Sequence, residues 1–165
     1  MHRVGPASGE HIVVRLLGSP VDLFFAAQEG VDGLVREFTL IAFGRQSGVT
    51  EHEVPVKLRE LVEEVGTRFG GFAADIAGVF ERAAAAGETS VDLEIAMHPI
   101  GVDISARFAE LLDQADEFCR SGDLLTLAAP PEVVAWRRWW FGEVVGQGRE
   151  GRAPVGYPEA MGHKP

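Results

Sequence analysis

The residues whose types and spacing could do chemistry are few. Gly146-Gln147-Gly148-Arg149-Glu150-Gly151 matches G-x-G-x-x-G, the pattern that brings backbone amides up to a pyrophosphate. Such a loop has to follow a strand and open a helix. Here it follows a helical stretch and runs into Arg152-Ala153-Pro154, so it reads as a coincidence within a glycine-rich segment. Glu110, Asp113, Asp116 and Glu117 have the composition of a cation site or of paired acid-base carboxylates. A solvated helix face is the better reading, because Asp116 and Arg120 stand at the favourable i,i+4 spacing. The five histidines, His2, His11, His52, His98 and His163, are scattered, and no two are three or four residues apart as helical metal ligands would be. With Cys119 as the single cysteine, a zinc site is not expected. A phosphate loop, a G-x-S-x-G elbow and an H-E-x-x-H helix are all missing. The residues predict no catalytic group, no metal and no nucleotide or other cofactor.

Ala135-Trp136-Arg137-Arg138-Trp139-Trp140-Phe141 is the most unusual stretch. Tryptophan beside arginine can stack nucleic-acid bases, but 25 acidic against 15 basic residues, a formal net charge of −10, oppose attraction to nucleic acid or to an anionic membrane. At about 100° per residue, Val133, Trp136, Trp140 and Val144 form one apolar stripe, widened by Val134, Phe141 and Val145. Trp139 falls outside the stripe, near Glu132 and Glu143. It lies either under the following segment or at the surface, where Arg138 and Trp139 would contact a partner. Arg137 falls inside the apolar arc and needs a counter-charge. Asp116, at the border of the stripe formed by Leu111, Leu112, Ala115 and Cys119, is the best-placed carboxylate, so a partly buried Asp116–Arg137 ion pair is expected. The alternative is an arginine that reaches water along its alkyl stem.

The elements that must position these side chains are mostly helices. His11 to Leu17 reads as a short strand. Ser19-Pro20-Val21-Asp22 has the capping acceptor, early proline and early acid of a helix start. From there Phe24, Val31 and Phe38, and Ala27, Leu34 and Ile41, recur every seven residues until Gly44. Gly30 and Gly33 weaken that helix by about 1 kcal/mol each relative to alanine, unless another element approaches closely. A second helix follows Pro55, with Leu58, Leu61, Val65 and Phe69 on one side, and a third runs from Phe72 to Gly87. Ser90 to Met97 alternates as a strand covered on one face. A fourth helix extends from about Pro99 to Gly122, with Cys119 as a small core residue. Asp123 to Ala129 is too short to classify by period, and Pro130-Pro131 opens the last helix, which ends near Val145.

The expected architecture is therefore α+β and mostly α, with about five helices packed as a bundle and a small two-stranded sheet. Residues 1–10 read as a disordered lead-in, 11–146 as a single helical domain and 147–165 as a flexible tail. No run approaches the roughly 20 apolar residues of a membrane helix. The N-terminus has neither a basic start nor an apolar signal core, so a cytoplasmic location is expected.

The run VVRLLGSPVDLFFAAQEGVDGLVREFTLIA, the segment DEFCRSGDLLTLAAPPEVV and the closing AWRRWWFGE resemble a group of small actinobacterial proteins. Those occur beside anti-sigma-factor kinases with GHKL-type ATPase domains and STAS-domain antagonists in partner-switching stress pathways. The resemblance covers roughly residues 12 to 145 and carries no catalytic residue. It implies a regulatory role with an anti-sigma kinase or STAS-domain protein as partner. The competing expectation is a small-molecule sensor or small enzyme, which would show a pocket lined by convergent polar groups; a contact protein would show a dry core and an exposed apolar surface.

Overall fold

The computed structural model describes residues 1–5, 11–46 and 73–157. Its elements are β1 (His2–Val4), β2 (Ile12–Pro20), α1 (Val21–Gln46), α2 (Ala73–Ala85), β3 (Ser90–Met97), α3 (Pro99–Ser121) and α4 (Pro131–Glu150). The class is α+β and mostly helical, with four helices among the described residues. The helix expected after Pro55 lies outside them.

The sheet has three strands rather than two, in the order β1-β3-β2. β3 is central, antiparallel to β2 with Val14 opposite Ile95, and parallel to β1 with Val4 also opposite Ile95. The extra strand occupies His2–Val4, within the expected lead-in. Three residues show no period, and only Val4 is buried, so the pairing rests on the neighbouring strand rather than on local pattern. Gly5 makes the exit possible. Its φ is 110°, and a Cβ there would stand 2.1 Å from the Ala96 carbonyl oxygen.

β2 also runs farther than expected, to Pro20, because a register shift between Leu16 and Ser19 lets the strand continue beside β3. Ser19 consequently does not cap α1. Its hydroxyl is buried and accepts the indole N–H of Trp136 at 3.1 Å, while Val21 N at the helix start donates to Thr89 O at 3.0 Å.

Two apolar clusters divide the length of α1. The first joins Val14, Leu16, Leu93 and Ile95 of the sheet to Ala27, Phe80 of α2 and the tryptophans of α4. Phe24 stacks on Phe80 with ring centroids 3.8 Å apart. The second gathers Leu34 and Phe38 of α1, Leu111, Leu112 and Ala115 of α3, and Leu124. A helix of 26 residues, about 39 Å at 1.5 Å per residue, is long enough to serve both. The sevenfold apolar recurrence supplies one continuous seam for that purpose, and Gly33 admits Thr126, whose Cγ2 would lie 3.3 Å from an added Cβ. Nothing in the structure explains Gly30.

Each glycine of the G-x-G-x-x-G segment has a structural role. A Cβ at Gly148 would come within 2.5 Å of Val102 Cγ2, so α3 and α4 cross closely there. One at Gly146 would come within 2.7 Å of the Arg152 guanidinium. Gly151, at φ 64°, ends α4 in the left-handed conformation and turns the chain back. The helix therefore reaches Glu150, and residues 152–157 return along it instead of beginning a free tail at residue 147.

Candidate functional site

The structure brings Asp116 and Arg137 together. Both are buried, and Arg137 Nη2 donates to Asp116 Oδ2, with Asp113 Oδ1 3.5 Å away. The other Asp116 oxygen accepts the Ala129 N–H at 2.9 Å. One carboxylate thus ties α3, the α3–α4 connection and α4 to each other. Arg137 is consumed by this junction and offers no surface.

Arg138 and Trp139 part company. Arg138 is exposed, whereas Trp139 is buried and unavailable to a partner in this conformation. Its indole N–H donates to Val155 O at 2.9 Å, and Tyr157 meets its ring edge-on at a centroid distance of 5.2 Å. The cover comes from the segment expected to be a flexible tail. That segment has few apolar residues, but it is held by polar groups. Glu143, buried on α4, accepts from Arg152 Nη2 at 2.6 Å, from Val155 N at 2.9 Å and from Gln147 Nε2 at 2.9 Å. Gln147 in turn accepts the Arg15 N–H at 2.8 Å and donates to Arg15 O at 2.7 Å. Sequence reasoning set Glu143 outside the apolar stripe and Gln147 at the start of a flexible tail, and missed both roles. The signal was present in their i,i+4 spacing with Arg152 just beyond the helix end.

A second missed constellation lies at the far end of α1. The Glu37 carboxylate accepts Leu125 N at 2.6 Å, Thr126 N at 2.8 Å and the Thr126 hydroxyl at 2.7 Å. Leu124 is buried beneath, while Leu125 and Leu127 are 92% and 89% exposed. Leu40, three residues beyond Glu37 and so on the same side of the helix, is 71% exposed. The signal here was a Leu-Leu-Thr-Leu run with more leucines than one buried position can use.

Cys119 is half-buried near this end. Burial pushes its thiol pKa up to about 11, and the negative charges of Asp116 and Glu37 push in the same direction. The thiol is therefore a poor nucleophile at neutral pH.

The cavity between α1 and α3 measures about 10 Å³ and is lined only by apolar side chains, including Leu34, Phe38, Phe108 and Leu111. That is room for at most one water. A recess of about 280 Å³ beside β2 is lined by Val13, Arg15, Gln147, Gly151, Arg152 and Pro154. The Arg15 and Arg152 guanidinium groups there already pair with Glu94 and Glu143. Among the described residues no helix is long and apolar enough to cross a membrane.

Among the described residues, fold and site together define a mostly helical α+β domain with two apolar clusters along α1 and leucines exposed on the α3–α4 connection. No family model, curated protein or solved structure matches the chain.

Proposed function

We propose that the chain is a cytoplasmic regulatory protein that acts through protein-protein contacts. The observation that carries the reading is the pair Leu125 and Leu127, 92% and 89% exposed on a connection that Glu37 holds through two backbone N–H groups and the Thr126 hydroxyl. Single exposed leucines need no explanation, but two within three residues on a held connection are the kind of apolar surface that partner proteins cover. The cavity between α1 and α3 is too small for a metabolite, and the arginines of the recess beside β2 are already paired, which supports this reading over a small-molecule sensor. The resemblance to proteins beside anti-sigma-factor kinases and STAS-domain antagonists points to a partner-switching circuit as the setting, with one of those proteins as the partner.

Affinity capture from the native host, with the unaltered chain and with the Leu125→Ser/Leu127→Ser double variant side by side, tests the proposal. A protein retained by the first and lost from the second is the expected result. A co-purifying metabolite, with the same proteins on both, would refute it.

A further inference from the structure

Residues 152–157 and the face of α4 beneath them are unequal halves of one contact. The helix half is buried and held from its own side. Glu143 is 3% and Trp139 8% exposed, and the Glu143 carboxylate also accepts from Gln147, which the Arg15 backbone fixes. Gly146 leaves room against the helix for the Arg152 guanidinium, whose Nη2 donates to Gly142 O at 3.1 Å as well as to Glu143. The returning half has no fully buried side chain. Arg152 and Ala153 are exposed, Pro154, Val155 and Tyr157 are half-buried, and only Gly156 is buried. Its polar attachment uses one guanidinium and the N–H and C=O of the residue three positions later. Any extended peptide with an arginine at that spacing carries the same groups.

From this we infer that the α4 face built by Trp139, Gly142, Glu143 and Gly146 is a peptide-binding site that the chain fills with its own residues 152–157. The occupant that replaces them is an extended segment of another protein with an arginine three residues before an aliphatic residue. Glu143 accepts from the arginine and from the later N–H, and the Trp139 indole donates to the matching carbonyl, as each does within the chain. Gly151, at φ 64°, is the joint at which the returning segment leaves α4. The recess of about 280 Å³ borders that segment at Gly151, Arg152 and Pro154, so an incoming chain has room beside the contact it displaces. An empty site would leave the buried carboxylate with Gln147 alone, which favours exchange of one arginine segment for another over simple opening. The inference concerns a different part of the chain from Leu125 and Leu127 and stands or falls separately from them.

The probe is a fluorescent peptide, Arg-Ala-Pro-Val-Gly-Tyr with blocked ends, titrated against the full chain. A tethered segment competes at an effective concentration in the millimolar range, so the unaltered chain binds the probe only at that level. In Arg152→Ala/Val155→Pro both donors of the segment to Glu143 are lost while the α4 face is intact, and the probe binds roughly a hundredfold tighter. Tryptophan emission, shifted to the red in that variant, returns to the blue as the probe saturates. A probe with glutamate in place of arginine does not bind. A folded variant that ignores the arginine probe overturns the inference, as does equal affinity of the variant and the unaltered chain. If the variant fails to fold, the isotope-labelled unaltered chain decides. Unlabelled probe at several millimolar moves its Val155 amide resonance to the unstructured position, and a resonance that stays in place overturns the inference. A dimer of the unaltered chain that the variant cannot form would put a second copy's segment in the site and overturn the assignment to another protein.

Discussion

The indole N–H of Trp139 and the carbonyl of Val155 meet at 2.9 Å, closing a strap that runs back along α4 from the turn at Gly151. Beneath it Glu143 accepts the Val155 N–H and a guanidinium N–H of Arg152, so the strap is bound on both backbone polar groups of Val155. Removing it would expose the tryptophan and leave a buried carboxylate with Gln147 as its remaining hydrogen-bond donor.

Ending the chain after Gly151 should therefore destabilise it. Loss of hydrogen bonds to a buried charge and of aromatic cover amounts to at least about 3 kcal/mol. For a chain of this size that lowers the melting temperature by roughly 6 to 12 °C. Tryptophan emission should shift to the red at the same time. An unchanged melt and spectrum would show that the strap contributes nothing.

Arg137→Ala should cost about 3 to 5 kcal/mol, because it strands the Asp116 charge in the interior, and Asp116→Ala somewhat less, because Arg137 keeps Asp113 at 3.5 Å. The double variant should lose clearly less than the sum, by at least about 1 kcal/mol of coupling. Chemical denaturation of the four proteins measures this. Additive losses would mean that the two side chains act separately.

Cys119 should resist alkylation by iodoacetamide at neutral pH in the folded chain and react once urea unfolds it, since the folded thiol titrates near 11. The same shift has a sign for stability. Between the ordinary thiol pKa of 9.0 and about 11 the folded chain keeps a proton that the unfolded chain has lost. Stability contributed by the neutral thiol is thus present below the unfolded pKa and declines as pH rises through that window. Cys119→Ala should remove this part of the alkaline decline; an identical pH profile would contradict it.

Two glycines of α4 should respond oppositely to alanine. Gly148→Ala forces a Cβ to 2.5 Å from Val102 Cγ2, so helix α3 or the valine must move, at about 1 to 3 kcal/mol. Gly142→Ala meets nothing within 4 Å and should stabilise by up to about 1 kcal/mol through helix propensity. Thermal melts of the two variants give the comparison directly.

Local rules carried the helices and β3. Pro131 and Gly122 punctuate their helices as such residues do, and Ser90 to Met97 alternates because the sheet buries one of its faces. The wheel positions of Asp116 and Arg137 mattered because both helices turn those stripes toward each other. What escaped were contacts decided far along the chain. Val4 finds Ile95, and Ser19 leaves its capping position for Trp136, 117 residues away. Trp139 disappears beneath a segment held by hydrogen bonds to Glu143, Gly142 and the indole itself and by one tyrosine, rather than by an apolar run. Glu37 reaches a connection 88 residues distant, and no periodicity within either segment encodes that meeting.

The Gln147 side chain has a further consequence for β2. Its amide offers Arg15 one acceptor and one donor, the same complement that the peptide group of an added strand would offer. On the margin of a three-stranded sheet this occupies the N–H and C=O of Arg15, one of the backbone pairs that a stray strand would otherwise seize. A side chain thereby ends the sheet where an exposed backbone would have let it grow, and Gln147→Ala would reopen β2 to recruitment by neighbouring chains at high concentration.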